Sequence, residues 1–235
     1  MPYLKFIPDK KLIVAVGKVV KVIITAEHEA DNNLHKNVID PFSALFHGVI
    51  HAITYKEWIE QEKARQSQKT MQNAIGDFHQ EILGSIPGWK NLGAGGGLDV
   101  VNKQMKIIAE VKNKFNTTKG NHKVELYDAI KAKLKTKEYT NFIGYYVEVI
   151  PQAKNKYNKP FTPSDNKTQK RRPVNKSIRV IDGISFYALA TRRQRALQEL
   201  FEALPVILVD KFRYKLSKKE ALSYFELFKM AFSTQ

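Results

Sequence analysis

Cysteine is absent from the 235-residue sequence, and so is any long uninterrupted hydrophobic run. Without cysteine the chain forms no disulfide bonds and no thiolate metal sites, which fits a reducing compartment, and we expect a cytoplasmic protein. The most apolar early stretch, Leu12 to Thr25, is interrupted by Gly17, Lys18 and Lys21. It is too short and broken to span a bilayer, and it lacks the small-residue cleavage site of a signal peptide. We therefore expect no membrane partner and no targeting segment.

Acidic residues are outnumbered, because 23 Asp and Glu stand against 39 Lys and Arg and leave a formal net charge of +16. Such a surface attracts polyanions, so nucleic acid is the leading partner, with a generally basic protein or a membrane-surface binder as alternatives. Hydrophobic residues make up 43% of the chain, which is normal for a folded globular protein. The length favours one domain over residues 1–235.

The periodicity of apolar residues divides this domain into a mainly helical part, residues 1–85, and an α/β core, residues 86–235. In the first part Asp40-Pro41 predicts the start of a helix that becomes polar towards Lys69, and a second helix is predicted from about Gln72 to Leu83. Glycines at 93 and 95–97 then indicate a tight loop that lets a DNA phosphate approach the backbone.

The core is predicted to contain strands, two hairpins and helices. The first hairpin has arms Leu98 to Val101 and Lys106 to Lys112; a helix at Lys123 to Lys137 and a strand at Asn141 to Ile150 follow. A second hairpin turns at Asp182-Gly183, between Ile178 to Ile181 and Ile184 to Ala190. Capping-box spacing of Thr191 and Gln194 predicts the next helix, to about Leu204. Val206 to Val209 is predicted as a last strand, before a helix from about Ser217.

The first hairpin brings chemistry-bearing side chains together if its turn has an even number of residues. Val101 then pairs with Lys106, and Asp99, Glu110 and Lys112 lie on one face. Asp99 and Glu110 would be diagonal neighbours, close enough for one cation to bridge their carboxylates. Oxygen ligands without cysteine favour Mg²⁺, with Mn²⁺ as a substitute.

Lys112 would project to the same side, where an ammonium group can orient or help deprotonate an attacking water and offset charge on a phosphoryl transition state. The alternative interpretation is an exposed polar face of an edge hairpin. The apolar neighbours, Ile107 to Ala109 and Val111, weigh against that alternative, because they indicate a strand buried on both sides.

Asp99 followed after ten residues by Glu110-Val111-Lys112 resembles the PD-(D/E)XK nuclease signature, with Leu98 in place of its proline. A wider pattern resembles the type II restriction endonucleases that cut GGNCC-like sites. It comprises Phe78 to Gly84, Gly88-Trp89, the glycine cluster, Ala109 to Thr117, Asp182-Gly183, Ser185 to Tyr187 and Leu204-Pro205. The resemblance covers most of the chain, whereas the N-terminal helices match only in general character.

The resemblance implies a PD-(D/E)XK restriction-endonuclease-like fold, with a mixed central sheet flanked by helices and a helical N-terminal portion. It also implies a homodimer that cuts both strands of a palindrome, and a companion DNA methyltransferase in the host. Asp99 and Glu110 would be metal ligands, with the Val111 carbonyl as a further one, and Lys112 would be catalytic. Glu81 would hold a water or a second metal; its alternative is an ordinary surface glutamate.

Residues 151–177 form a predicted basic surface loop with eight Lys or Arg and one acid, Asp165. We expect this loop to contact DNA, with Lys170, Arg171 and Arg172 as the leading candidates; a solvated flexible loop is the alternative. Beyond the catalytic strand, Asn113, Lys114 and Asn116 are also placed to meet DNA. His47 and His51 have the spacing of a zinc pair, but structural roles are favoured because no glutamate follows His47.

These observations predict a type II restriction endonuclease that makes sequence-specific cuts in double-stranded DNA. One alternative is a repair or junction-resolving nuclease of the same fold. The other is a non-catalytic basic DNA-binding protein in which the acidic pair is structural.

Overall fold

The computed structural model of the chain describes residues 1–34, 36–93, 97–118 and 120–232. Its internal contacts divide the chain into two compact units, one of residues Val16–Phe78 and one of Met1–Ala15 with His79–Gln235. The single domain of the sequence analysis stays a prediction. None of the helices in the described ranges combines the length and the hydropathy needed to cross a membrane.

Four helices occupy the first third of the chain: α1 (Asp9–His28), α2 (Ala30–Leu34), α3 (Pro41–His51) and α4 (Tyr55–Ser85). Helix α3 begins where Asp40-Pro41 predicted. The Asp40 carboxylate accepts hydrogen bonds from the backbone N–H groups of Phe42, at 3.0 Å, and Ser43, at 3.2 Å. These bonds satisfy donors that the first turn of a helix otherwise leaves unpaired.

The predicted lengths of the two helices after Asp40 are wrong. Helix α3 stops at His51 because Ala52 adopts a left-handed conformation with φ of 51°. A new helix then begins, because Thr54 and Glu57 exchange capping hydrogen bonds. This second helix, α4, continues without a break from Tyr55 to Ser85. The sequence had predicted two helices here, with the second one beginning only at about Gln72.

A six-stranded mixed sheet forms the centre of the second unit. In chain order the strands of the unit are β1 (Lys90–Asn91), β2 (Val100–Asn102), β3 (Ile107–Lys114), β4 (Ile143–Ile150), β5 (Asn158–Pro160), β6 (Ser164–Asp165), β7 (Lys170–Arg171) and β8 (Ile178–Asp182). The central sheet has the order β1-β2-β3-β4-β8-β5, while β6 and β7 form a separate hairpin. Strands β3, β4 and β8 are parallel, and the other pairs are antiparallel. The predicted α/β class with a mixed central sheet is confirmed.

Helices cover both faces of this sheet: α5 (Gly120–Leu134) on one face and α6 (Gly183–Thr191) on the other, followed by α7 (Ala196–Phe212) and α8 (Lys218–Ala231). A Cβ at Gly144 would lie 2.2 Å from Ile130 of α5, so only glycine lets this helix lie so close to β4. On the opposite face the Phe186 ring packs edge-on against Trp89, with ring centroids 5.5 Å apart. These contacts bury the sheet on both sides, as parallel strands require.

Asp182-Gly183 is not a hairpin turn, so that prediction is wrong. The Asp182 carboxylate accepts a hydrogen bond of 2.9 Å from the N–H of Ser185 and thereby caps α6. A Cβ at Gly183 would lie 2.3 Å from the Val149 carbonyl oxygen, so the glycine serves close packing against β4. The same dipeptide suits either role, and contacts distant in sequence decide between them.

The predictions for the following segment are wrong in part. Thr191 does not cap a helix, because its hydroxyl donates to the Tyr187 carbonyl at 2.7 Å, and α7 begins only at Ala196. Val206 to Val209 lies inside α7 and is not a strand. The C-terminal helix is confirmed, since Ser217 forms a capping box with Glu220 at its start.

Candidate active site

The hairpin of β2 and β3 holds the predicted catalytic residues in a register two residues away from the predicted one. Val101 pairs with Ile108 and not with Lys106. The turn has four residues, as predicted, but it lies one residue further along the chain, at residues 103–106, where the Asn102 side chain accepts the Met105 N–H at 2.9 Å. The number of turn residues is still even, so the alternation of side chains is unchanged and the predicted face is retained.

Asp99 is fixed to β3 through both its backbone and its side chain. Its N–H donates to the Ala109 carbonyl at 3.0 Å, and its carboxylate oxygen Oδ2 accepts the N–H of Val111 at 2.7 Å. Val111 is almost fully buried, so this bond satisfies a backbone donor that has no access to water. The carboxylate of Asp99 is therefore held beside the Glu110-Val111-Lys112 segment.

Glu110 and Lys112 form an ion pair on the same strand, with 2.6 Å between Nζ and Oε1. Side chains two residues apart on a strand point to one side of the sheet, which explains the contact. The Glu110 side chain is 15% exposed and that of Lys112 is 34% exposed. The pair is thus half-buried, with the ammonium group on the more accessible side.

A second polar cluster, which the sequence analysis missed, lies on the next strand beside Lys112. Glu148 of β4 is the register partner of Lys112 and is buried. It accepts hydrogen bonds from Lys123 of α5, at 2.9 Å, and from the hydroxyl of Tyr157. Burial, and then the adjacent Glu148 carboxylate, raise the pKa of Tyr157. An acid inside the apolar run of β4 is the same signal that singled out Glu110 on β3.

Tyr146 lies between these two groups of charges as the register partner of Glu110. Burial raises the pKa of its hydroxyl, and the charges of the nearby Glu148 and Glu110 carboxylates add to this effect. Tyr146 therefore stays protonated at neutral pH and acts as a neutral group on the floor of the site.

The other residues predicted for this region are spread over different environments. Glu81 is half-buried near the end of α4. Asn113 is buried on the opposite side of β3 from Lys112, whereas Lys114 is half-buried and Asn116 is exposed just past the strand. Gly93 and Gly97 of the predicted glycine loop both have positive φ, and Ala94 to Gly96 lie outside the described residues.

The predicted basic loop is partly ordered as the β6–β7 hairpin, and its arginines differ in their surroundings. Arg172 forms ion pairs with Asp128 of α5, at 2.7 Å, and with Asp165 of β6, at 2.9 Å. Backbone N–H bonds, first that of Lys167, lower the pKa of Asp165 and keep it charged. Arg172 therefore ties the hairpin to α5, while Lys170 and Arg171 on β7 are exposed.

The side chains at Asp99 and Glu110 fit a magnesium ion by their chemistry. Within the described residues no group of three or more His, Asp or Glu could hold a metal, so His47 and His51 are not part of one there. A cation at Asp99 and Glu110 would take its remaining ligands from backbone carbonyls, water or substrate phosphate. Mg²⁺ is commonly held in this way, by one or two carboxylates together with phosphate oxygens.

The sequence profile of the Eco47II restriction endonuclease matches residues 4–213, which is most of the chain. The chain belongs to the Eco47II restriction endonuclease family. The type II restriction enzyme Eco47II of Escherichia coli is 41% identical to it over 207 residues, 87% of this chain and 86% of the relative. The type II restriction enzyme Sau96I of Staphylococcus aureus is 30% identical over 221 residues, 92% of this chain and 84% of the relative.

Membership of the Eco47II restriction endonuclease family confirms the resemblance found in the sequence and the predicted class of activity. The protein is a sequence-specific restriction endonuclease, a hydrolase that acts on double-stranded DNA. Family membership therefore favours a restriction endonuclease over the two alternatives, a repair nuclease and a non-catalytic DNA-binding protein. In a restriction endonuclease, the half-buried acids and lysine of the β2–β3 hairpin are the leading candidates for the hydrolytic site.

Proposed function

We propose that this restriction endonuclease is a PD-(D/E)XK enzyme that cuts DNA with a divalent cation held by Asp99 and Glu110. The observation that carries the proposal is the convergence of three groups. Asp99 Oδ2 is bonded to the N–H of Val111, and the two residues that flank Val111 form the 2.6 Å ion pair of Glu110 and Lys112. Mg²⁺ is the preferred cation and Mn²⁺ an acceptable substitute, because both favour oxygen ligands.

The cation, when bound, supplies Lewis-acid polarisation of the scissile phosphate. Lys112 contributes positive charge at the same place, since its ammonium group lies on the accessible side of Glu110. It can orient the attacking water and stabilise the negative charge that grows on the phosphoryl oxygens in the transition state. Water then forms the new P–O bond as the bond to the leaving sugar oxygen breaks.

Two further residues take supporting roles in this proposal. The Val111 carbonyl follows Glu110 directly and is a further oxygen ligand for the cation. Glu81, half-buried on α4, would hold a water or a second cation. Both roles rest on the resemblance to PD-(D/E)XK nucleases.

The β6–β7 hairpin is our proposed DNA-binding element. Its exposed Lys170 and Arg171 form no ion pair with an acid of the described residues, so their positive charge would be available for contacts with phosphates or guanine edges. Arg172 belongs to this element as the anchor that holds the hairpin on α5. Lys114 and Asn116 would contact the DNA backbone near the cut. Asn113 is buried on the other side of β3, so it would contribute to DNA binding only indirectly, by supporting the strand.

We also propose that the enzyme works in the cytoplasm as a homodimer on GGNCC-like palindromes, with a companion methyltransferase protecting the host DNA. A palindrome has a twofold axis, and a symmetric dimer places one active site on each strand.

The test is digestion of an unmethylated plasmid that contains several GGNCC sites. Wild-type protein with Mg²⁺ should give discrete fragments, and EDTA should abolish them. Glu110→Gln keeps the size of the side chain but removes its charge, so cleavage should fall by more than about 100-fold, since even changes to groups behind a metal ligand cost 10–100-fold.

Glu226→Gln is the matched control, because in the described part of the chain the exposed Glu226 pairs with half-buried Lys229 on the surface of α8, and such pairs contribute little. It should cut like the wild type. Full activity of Glu110→Gln, or fragments that persist in EDTA, would refute the proposed site.

A further inference from the structure

Helix α3 carries an apolar stripe that no described residue of its own unit covers. Its members are Phe42, Leu45, Phe46, Val49 and Ile50, at the spacing that lines one side of a helix. Each is between 65% and 73% exposed, and no residue of α3 is buried. Helices of globular proteins normally pack such a stripe against a core. An exposed stripe of this kind therefore indicates an interaction surface.

The stripe belongs to a well-defined helix and not to a loose segment. Asp40 caps its first turn, and the N–H groups of Ala52 and Ile53 bond back to the carbonyls of its last turn, at 3.4 and 3.0 Å. A preformed helix loses little conformational entropy when it docks, which favours its use as an interface.

The size of the stripe is close to that of a stable interface. Five side chains exposed to this degree present about 600 Å² of apolar surface, at the upper end of the largest patch that a typical monomer exposes. Val38 and Tyr55, which flank the helix, are 98% and 80% exposed and extend the patch. The total approaches the roughly 800 Å² that each partner buries in a standard interface.

Charge narrows the choice of partner. Residues 41–51 include no Lys, Arg, Asp or Glu, in a chain whose net charge is +16. DNA gains nothing from such a face, because phosphate binding needs cations. Helices that lie on membranes carry Lys or Arg on their polar side, whereas α3 has Ser43, His47 and His51 there. An uncharged face is, however, where two strongly basic chains repel each other least.

We propose that α3 is a self-association surface, on which the occupant is α3 of a second copy of this chain. The choice of a second copy rests on the proposed function, because cutting both strands of a palindrome needs two sites and each chain carries one. Around a twofold axis near Phe46 the helices pack antiparallel, and Phe42 of one copy meets Ile50 of the other. Such a contact is self-complementary and closes after two copies.

The test is sedimentation equilibrium of the full chain with Phe46→Glu and, as matched control, His47→Glu. Both add one carboxylate to α3, but only the first adds it to the stripe. Wild type and His47→Glu should sediment at twice the 27.0 kDa chain mass. Phe46→Glu should raise the dissociation constant at least about 100-fold, because the axis brings two like charges together. Val49→Glu is a second stripe variant, and thermal unfolding checks that each variant folds.

Cleavage separates failure of this proposal from failure of the proposed active site. Phe46→Glu should still nick one strand with Mg²⁺ while losing concerted double-strand cuts, whereas Glu110→Gln should remain dimeric and fail to cut. A monomeric wild type, a dimer that survives both stripe substitutions, or binding of α3 to anionic vesicles in place of dimerisation would overturn the self-association surface. None of these outcomes would alter the proposed chemistry at Glu110.

Discussion

Asp99 has two separable duties, and a pair of substitutions distinguishes them. Its Oδ2 accepts the N–H of buried Val111 at 2.7 Å, and its charge is proposed to hold a cation. Asp99→Asn keeps a carbonyl oxygen that can accept the same N–H but removes the charge. Asp99→Ala removes both, so the two variants should be alike in activity and different in stability.

The magnitudes follow from the burial of Val111. Without its acceptor, a buried N–H loses a hydrogen bond and stays dehydrated, which costs about 1–3 kcal/mol in the free energy of unfolding. For a chain of this size each kcal/mol corresponds to about 2–4 °C in Tm. Asp99→Ala should therefore melt at least about 2 °C below Asp99→Asn. Both should cut more than about 100-fold more slowly than the wild type.

Differential scanning calorimetry without metal measures the first effect, and single-turnover cleavage with Mg²⁺ measures the second. Equal Tm values for the two variants would refute the anchoring role of the Val111 bond. An Asp99→Asn variant that cuts as fast as the wild type would refute the role of Asp99 as a ligand. The two results are independent, since one assay contains neither metal nor DNA.

Three further predictions concern the surroundings of the site. Replacing both Lys170 and Arg171 by Ala should reduce the slope of log Kd against log salt concentration by up to about 2, since each lost phosphate contact lowers it by about 0.9. Fluorescence anisotropy with labelled DNA measures this slope, and an unchanged slope would contradict DNA contact by these residues. Glu148→Gln should lower the free energy of unfolding in urea by about 1–3 kcal/mol, because Lys123 loses its charged partner, and a change below about 0.5 kcal/mol would count against it. Burial lowers the pKa of His79 to about 4, so the unfolded chain binds its proton first and stability should fall between pH 6.5 and 4, by up to about 3 kcal/mol. His79→Gln should show a correspondingly flatter pH profile in urea denaturation, and parallel profiles would contradict this origin.

The shared face of the three candidate residues on the β2–β3 hairpin could be predicted from the sequence because strand alternation is a local property. Asp99, Glu110 and Lys112 share one side for any even number of turn residues. The register itself could not be predicted, since it depends on how the Asn102 side chain folds the turn. Helix α8 was predictable for a similar local reason, because its capping box joins residues only three apart, Ser217 and Glu220.

Contacts between distant segments account for what the sequence did not reveal. Asp182-Gly183 is equally suited to a hairpin turn and to a helix start, and only the close approach of Gly183 to Val149 selects the helix. Lys123 and Glu148 are 25 residues apart, and no local pattern relates them. Val206 to Val209 has the composition of a strand, but it continues the helix that buries Leu200 and Ile207.

The basic segment shows why charge alone does not identify a DNA-binding residue. Arg171 and Arg172 are adjacent and chemically identical, yet Arg172 is held by the two carboxylates of Asp128 and Asp165 while Arg171 is exposed. An arginine neutralised by two acids has little charge left for phosphate, but it fixes the position of its neighbour. The placement of Lys170 and Arg171 on β7, which Arg172 ties to α5, is what would convert a general attraction for DNA into contacts at defined positions, because an anchored side chain loses less entropy on binding than one on a free loop.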